Sequence, residues 1–157
     1  MKYRRLEEVE LNELKKEFID FLVSNTVTAD DWVFIKENEP LKAEQLIVLF
    51  SDMVLDRALE KIEYLELREP KSLMLFHCGK EEMILLGISV SEGVEVDFTD
   101  DAQLAKLADG NFKEGEFKVF KSTKKYEGTR ELEVFNLTEQ ACMITDDALF
   151  NLVKGLV

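Results

Sequence analysis

Three aspartates crowd the stretch DFTDD: Asp97, Asp100 and Asp101. Carboxylates at that spacing can share a magnesium ion, since hard cations take oxygen ligands. The same residues also suit a strand end feeding a helix cap at Thr99 or Asp100, where a short acceptor side chain satisfies the first unpaired N–H groups. The cap needs no ion and is the preferred reading. A second acidic pair, Asp30 and Asp31, precedes the only tryptophan, Trp32. Two carboxylates beside an aromatic platform would resemble a binding site. Thr28 and Asp31, however, stand three apart, as in a capping box. Acids in a first turn favour the positive end of the helix dipole, and Val27 can staple onto Trp32 one turn in. The expectation is a helix start with Trp32 largely buried.

Nucleophilic and metal chemistry find little support. His77 is the one histidine, and its neighbour Cys78 would point to the opposite face of a strand. A meeting of His77 with Cys142 in space is the minor alternative. One histidine and two distant cysteines fall short of a zinc set. Cys78 and Cys142 are expected to be buried, unbridged thiols. Phosphate-cradling glycine loops and a calcium loop are absent from the sequence. The sequon Asn136-Leu137-Thr138 matters only in a secreted chain. No catalytic, cofactor-binding or metal residue is assigned.

The chain's formal charge is −13, spread evenly along its length. A nucleic-acid binder needs a basic patch, so that class is set aside. One stretch departs from the acidic background: KVFKSTKKYEGTR holds Lys118, Lys121, Lys124, Lys125 and Arg130 against a single Glu127. Lysines there would guard an exposed or edge strand from aggregation; the alternative is a small anion or partner patch.

The elements that must position these residues change character near Pro70. A first helix is expected over about Asn12–Ser24, with Leu14, Phe18, Phe21 and Leu22 as its apolar stripe. The Thr28-capped helix follows, then a third over about Leu41–Ile62 opening at Pro40. On that third helix Gln45, Asp52, Asp56 and Glu63 form a narrow polar strip, and nearly everything else is apolar. Such a helix is central or lies in an oligomer interface. Arg57 projects into its apolar arc, so a carboxylate partner from another element is expected.

Strands are expected at about Tyr64–Arg68, Ser72–Cys78, Met83–Val90 and Val94–Phe98, with a hairpin turn in CGKEE and an interior strand in MILLGISV. DDAQLAKLADG reads as a short helix stopped by Gly110. EFKVFKSTKKY and TRELEVFNL read as two strands joined by EGT. ITDDALFNLVKGLV closes the chain as a helix capped by Thr145, with Asp146 and Asp147 in its first turn. The fold class is α+β: N-terminal helices on a largely antiparallel sheet, with a short C-terminal helix. Residues 1–157 are expected to form one domain, helical over about 1–63 and strand-rich over about 64–157.

The stretches MKYRRL at the start, TADDW at 28–32, LFSD at 49–52 and KIEYLE at 61–66 together resemble an uncharacterised family of small bacterial cytoplasmic proteins, a domain of unknown function. The resemblance covers mainly the first seventy residues. It implies membership outside known enzyme classes and supplies no site residue.

The functional expectation is a non-catalytic protein-interaction domain with a protein partner, able to form a homodimer through the third helix. One alternative is an immunity- or inhibitor-like acidic protein that binds a basic partner. The other is a small enzyme using Asp/Glu chemistry. No cofactor, nucleic-acid or membrane association is expected. No apolar run reaches the roughly 18 residues of a membrane span, so the cytoplasm is the expected location.

Overall fold

The computed structural model describes residues 1–110, 113 and 115–156. It divides into two compact units, Met1–Glu60 and Lys61–Val157. The architecture is α+β: among the described residues there are seven helices and one five-stranded sheet, antiparallel throughout.

The first unit is helical. Its helices are α1 (Glu8–Glu13), α2 (Lys15–Ser24), α3 (Ala29–Asn38) and α4 (Pro40–Glu60). The single helix expected from Asn12 starts earlier and breaks at Leu14, where ψ opens to 23°. Glu7 and Glu10 make the earlier start, closing a capping box. Glu10 is further gripped by both terminal nitrogens of Arg4 at 2.8 Å. The α3 start follows the sequence: Thr28 accepts from the Asp31 N–H and Asp31 accepts from the Thr28 N–H. Trp32 departs from expectation, being half-buried. Its ring stands edge-on to Phe18 at 5.2 Å, and the Lys36 ammonium lies 5.7 Å from its centroid. One side of the indole is core and the other is surface.

Phe18, Phe21 and the fully buried Phe50 pack as one aromatic group, with centroids 5.0–6.2 Å apart. The polar strip of α4 has a tertiary use. The Lys2 N–H donates to the Asp52 carboxylate, the Lys2 ammonium and the Tyr3 hydroxyl donate to Asp56, and the Arg5 guanidinium donates to Glu44. Buried Ser51 completes the attachment by accepting from the Leu6 N–H while donating to the Ile47 carbonyl. The N-terminal segment is thus fastened along α4. Arg57 corrects the expectation of a buried pair: it is exposed and makes no ion pair among the described residues. Ala58 beside it is exposed too, so water solvates the guanidinium and no carboxylate is required.

The second unit holds β1 (Tyr64–Glu69), β2 (Ser72–Cys78), β3 (Glu82–Val90), α5 (Asp101–Ala108), β4 (Phe117–Lys125), α6 (Arg130–Glu139), β5 (Met143–Thr145) and α7 (Ala148–Lys154). The sheet order is β4-β3-β2-β1-β5, so MILLGISV lies between two strands as its composition required. One face carries Leu73, Leu75, Leu86 and Ile88, covered by Phe98, Leu104, Leu107, Phe150 and Val153.

Three expectations for this half are corrected. Val94–Phe98 is not a strand. Its alternation does send Val96 and Phe98 into the core, but its backbone is satisfied elsewhere. The Lys71 ammonium donates to the Val94 and Val96 carbonyls, and the Phe98 N–H donates to the Pro70 carbonyl. TRELEVFNL is helix α6, not a hairpin strand. Thr129 caps it by accepting from the Leu132 N–H, with Glu131 and Glu133 in the first turn. Finally, Thr145 ends β5 rather than capping a helix. The closing helix starts later, behind Asp147, and Val157 lies outside the described residues.

Candidate functional site

The aspartates of DFTDD do not converge on an ion. Asp97 accepts from both the hydroxyl and the N–H of Thr99, which holds its pKa below the ordinary value. Asp100 caps α5 by accepting from the Ala102 N–H and also accepts from the Gln103 amide. Asp101 faces another way, pairing with Arg68 at 2.7 Å. Among the described residues no group of His, Cys, Asp and Glu is arranged to hold a metal. A shallow depression of about 550 Å³ does lie beside them, lined by Lys71, Glu95, Asp97, Asp100 and Lys106. The Asp97 and Asp100 carboxylates there serve a turn and a cap.

Arg68 continues inward to Glu66, only 5 % exposed, at 3.1 Å. Two residues apart on β1, both side chains share the face that carries Leu73 and Leu75. Glu66 Oε2 and Arg68 Nε are buried with no hydrogen-bond partner among the described residues. This pair lies outside the candidate residues of the sequence, although its i, i+2 spacing on a strand is the signal that marks it.

His77 and the cysteines occupy opposite faces. The His77 ring stacks on Tyr64 at 4.8 Å and packs on Phe150 at 5.7 Å. Cys78 and Cys142 are buried thiols without a disulfide. Burial pushes the Cys78 thiol up to about 11, against the opposing pull of Arg130. A nucleophile needs the reverse, since the thiolate is the reactive form.

Arg130, read in sequence as part of the lysine group, has a separate role. Its side chain is 13 % exposed. It donates to the carbonyls of Gly79, Cys78 and Ile62, clasping the β2–β3 turn to the start of the unit. Tyr126 donates to the same Gly79 carbonyl, and burial pushes its hydroxyl up to about 12. Beside this clasp, Phe76, Met83, Leu132, Leu137 and Gln140 line a cleft of about 520 Å³ between α6 and the sheet.

The lysines themselves lie on β4, an edge strand, as expected. Lys118, Lys121, Lys124 and Lys125 are all exposed. Lys124 pairs with Glu133 at 3.1 Å; the other three make no ion pair among the described residues. In the helical unit a groove of about 450 Å³ runs between α3 and α4, lined by Val27, Phe34, Ile35 and Leu46, with Asp31 and Glu39 also on its wall. Phe34 is 59 % exposed there. Among the described residues no helix is long and apolar enough to cross a membrane.

Comparison with curated proteins and with solved structures returns no match. A family model does match, over residues 1–157, so the resemblance seen in the first seventy residues extends through the strand-rich half. The chain belongs to the family of unknown function DUF6495.

Proposed function

We propose that this protein is a cytoplasmic, non-catalytic module that binds another protein through its helical unit, and that the bound segment is basic and amphipathic. The observation that carries this reading is the α3–α4 groove, where Phe34 is left 59 % exposed above Val27, Ile35 and Leu46. A large aromatic side chain exposed beside apolar lining residues is a common anchor point for a partner. Asp31 and Glu39 lie on the wall with Lys42, which pairs with Glu39 at 3.6 Å, and residues 1–60 as a whole carry 14 acidic against 8 basic side chains. That field favours a basic partner and speeds its arrival. An immunity- or inhibitor-like role is one form this binding can take.

Affinity capture with wild type and Phe34→Glu tests the reading. Phe34 is mostly exposed, so the substitution leaves the fold intact, and the captured partner should be lost. Association of that partner should slow clearly as salt shortens the screening length to about 8 Å, with dissociation changing much less. Equal capture by both proteins would overturn the groove, and a salt-indifferent association rate would overturn the basic partner.

A further inference from the structure

The edge strand β4 supports a second, independent binding mode. It is nine residues long, and its outer edge has no strand partner among the described residues. An unpaired edge presents alternating N–H and C=O groups that an extended chain can pair with. Charge identifies the partner. Residues 118–125 hold four lysines and no acid, while residues 61–157 as a whole carry 19 acidic and 12 basic side chains. Of these lysines, only Lys124 forms an ion pair among the described residues, with Glu133.

We infer that β4 is a strand-addition site for an extended acidic segment of another protein. Register sets the pattern such a segment needs. On one face of β4 the order is Lys118, Phe120, Ser122, Lys124; on the other it is Phe117, Val119, Lys121, Thr123, Lys125. Phe120 is 47 % exposed, but its ring lies over Gly87 of β3, so recognition at the free edge falls to the lysines. The matching strand carries acids opposite Lys118, Lys121 and Lys125. A second copy of β4 matches the lysines less well than an acidic strand does. Antiparallel pairing about Lys121 would set Lys121 against itself and Lys118 against Lys124, and like charges directly opposite repel. In that register the lysines oppose self-pairing, and their charge favours an acidic strand.

The test uses the full chain and a nine-residue synthetic peptide with Glu at the three positions opposite Lys118, Lys121 and Lys125 and Val elsewhere. Binding is read by fluorescence anisotropy and by amide hydrogen exchange. Alternate amides of Phe117–Lys125 should become protected when the peptide binds. The triple variant K118E/K121E/K125E should weaken binding about tenfold, the scale of several exposed ion pairs. A peptide N-methylated on the pairing edge keeps its charge and should bind far more weakly to unaltered protein, which makes the result independent of variant folding. Equal binding of the methylated peptide would overturn the proposal. Two further results would also do so: no protection of β4 amides, and displacement of the peptide by polyuridylate of equal affinity, which would mark a generic anion surface.

Discussion

At the residue scale, Arg130 holds the second unit together more than any lysine near it. Its guanidinium donates to three backbone carbonyls, and among the described residues Tyr126 is the one other side chain that donates to any of them, at Gly79. Arg130→Met should therefore cost about 3 kcal/mol, the scale of losing charged hydrogen bonds with buried acceptors left unpaired. Arg130→Lys should recover little, because an ammonium lacks the planar fork. Urea unfolding of the three proteins measures both. Cys78 gives a second residue-scale prediction. With its thiol pushed up to about 11 by burial, alkylation by iodoacetamide at pH 8 should be slow in the folded protein and fast once urea unfolds it. Rapid native-state labelling at Cys78, read by mass spectrometry, would contradict the buried placement.

At the element scale, the β3–β4 ladder contains a pairing that composition alone does not reveal. Gly87 sits opposite Phe120, and a Cβ built on Gly87 would come within 2.0 Å of the Phe120 ring. The ring lies over the glycine, filling the space its missing side chain leaves and shielding the ladder. Gly87→Ala must displace that ring, though a half-exposed phenylalanine can swing aside. A net change of about 1 kcal/mol or less is expected, because the alanine also restricts the unfolded chain. Phe120→Ala should cost a similar amount, and the double variant should fall short of their sum. Additivity in thermal or urea unfolding would mean the two residues act independently. The N-terminal segment behaves as an element too. Asp56→Ala removes the acceptor for Lys2 and Tyr3, and should cost about 1 kcal/mol while raising proteolytic cleavage near residues 1–6.

At the scale of the whole molecule, the carboxylates set the response to acid. Glu10 is held down to about 2 by Arg4, and then by the Glu7 N–H. Asp31 is lowered by the Thr28 N–H and hydroxyl, Asp56 by Lys2 and Tyr3, and Glu133 by the Glu127 N–H and Lys124. Each folded-state value lies below its unfolded counterpart, so the folded protein prefers the ionised form. The resulting stability is complete above the ordinary carboxylate value of 4.5 and is lost as pH falls toward about 2. Denaturation midpoints should be flat from neutrality to about pH 5 and then decline. Glu10→Gln should flatten part of that decline, and an unchanged acid limb in that variant would remove Glu10 from the account.

The sequence by itself determined what local chemistry decides. The Thr28–Asp31 box is made by residues three apart. The Gly110 stop follows from a φ of +72° that glycine alone adopts cheaply. The short loop between Cys78 and Glu82, the long apolar helix α4 and the β2 span are likewise set by turn residues and hydrophobic period. Tertiary structure decided every case in which backbone groups needed a partner from elsewhere. Val94–Phe98 and TRELEVFNL both alternate like strands, yet alternation fixes only which side chains point inward; a strand also needs a sheet edge to pair with. The free edge of β3 is taken by β4 and that of β1 by Met143–Thr145. The first stretch therefore packs its valine and phenylalanine as an extended loop, and the second follows its Thr129 cap into a helix. Arg57 and Arg130 make the same point for side chains. Nothing in their own sequence contexts separates the two; the surrounding elements leave Arg57 in water and fold Arg130 onto three carbonyls.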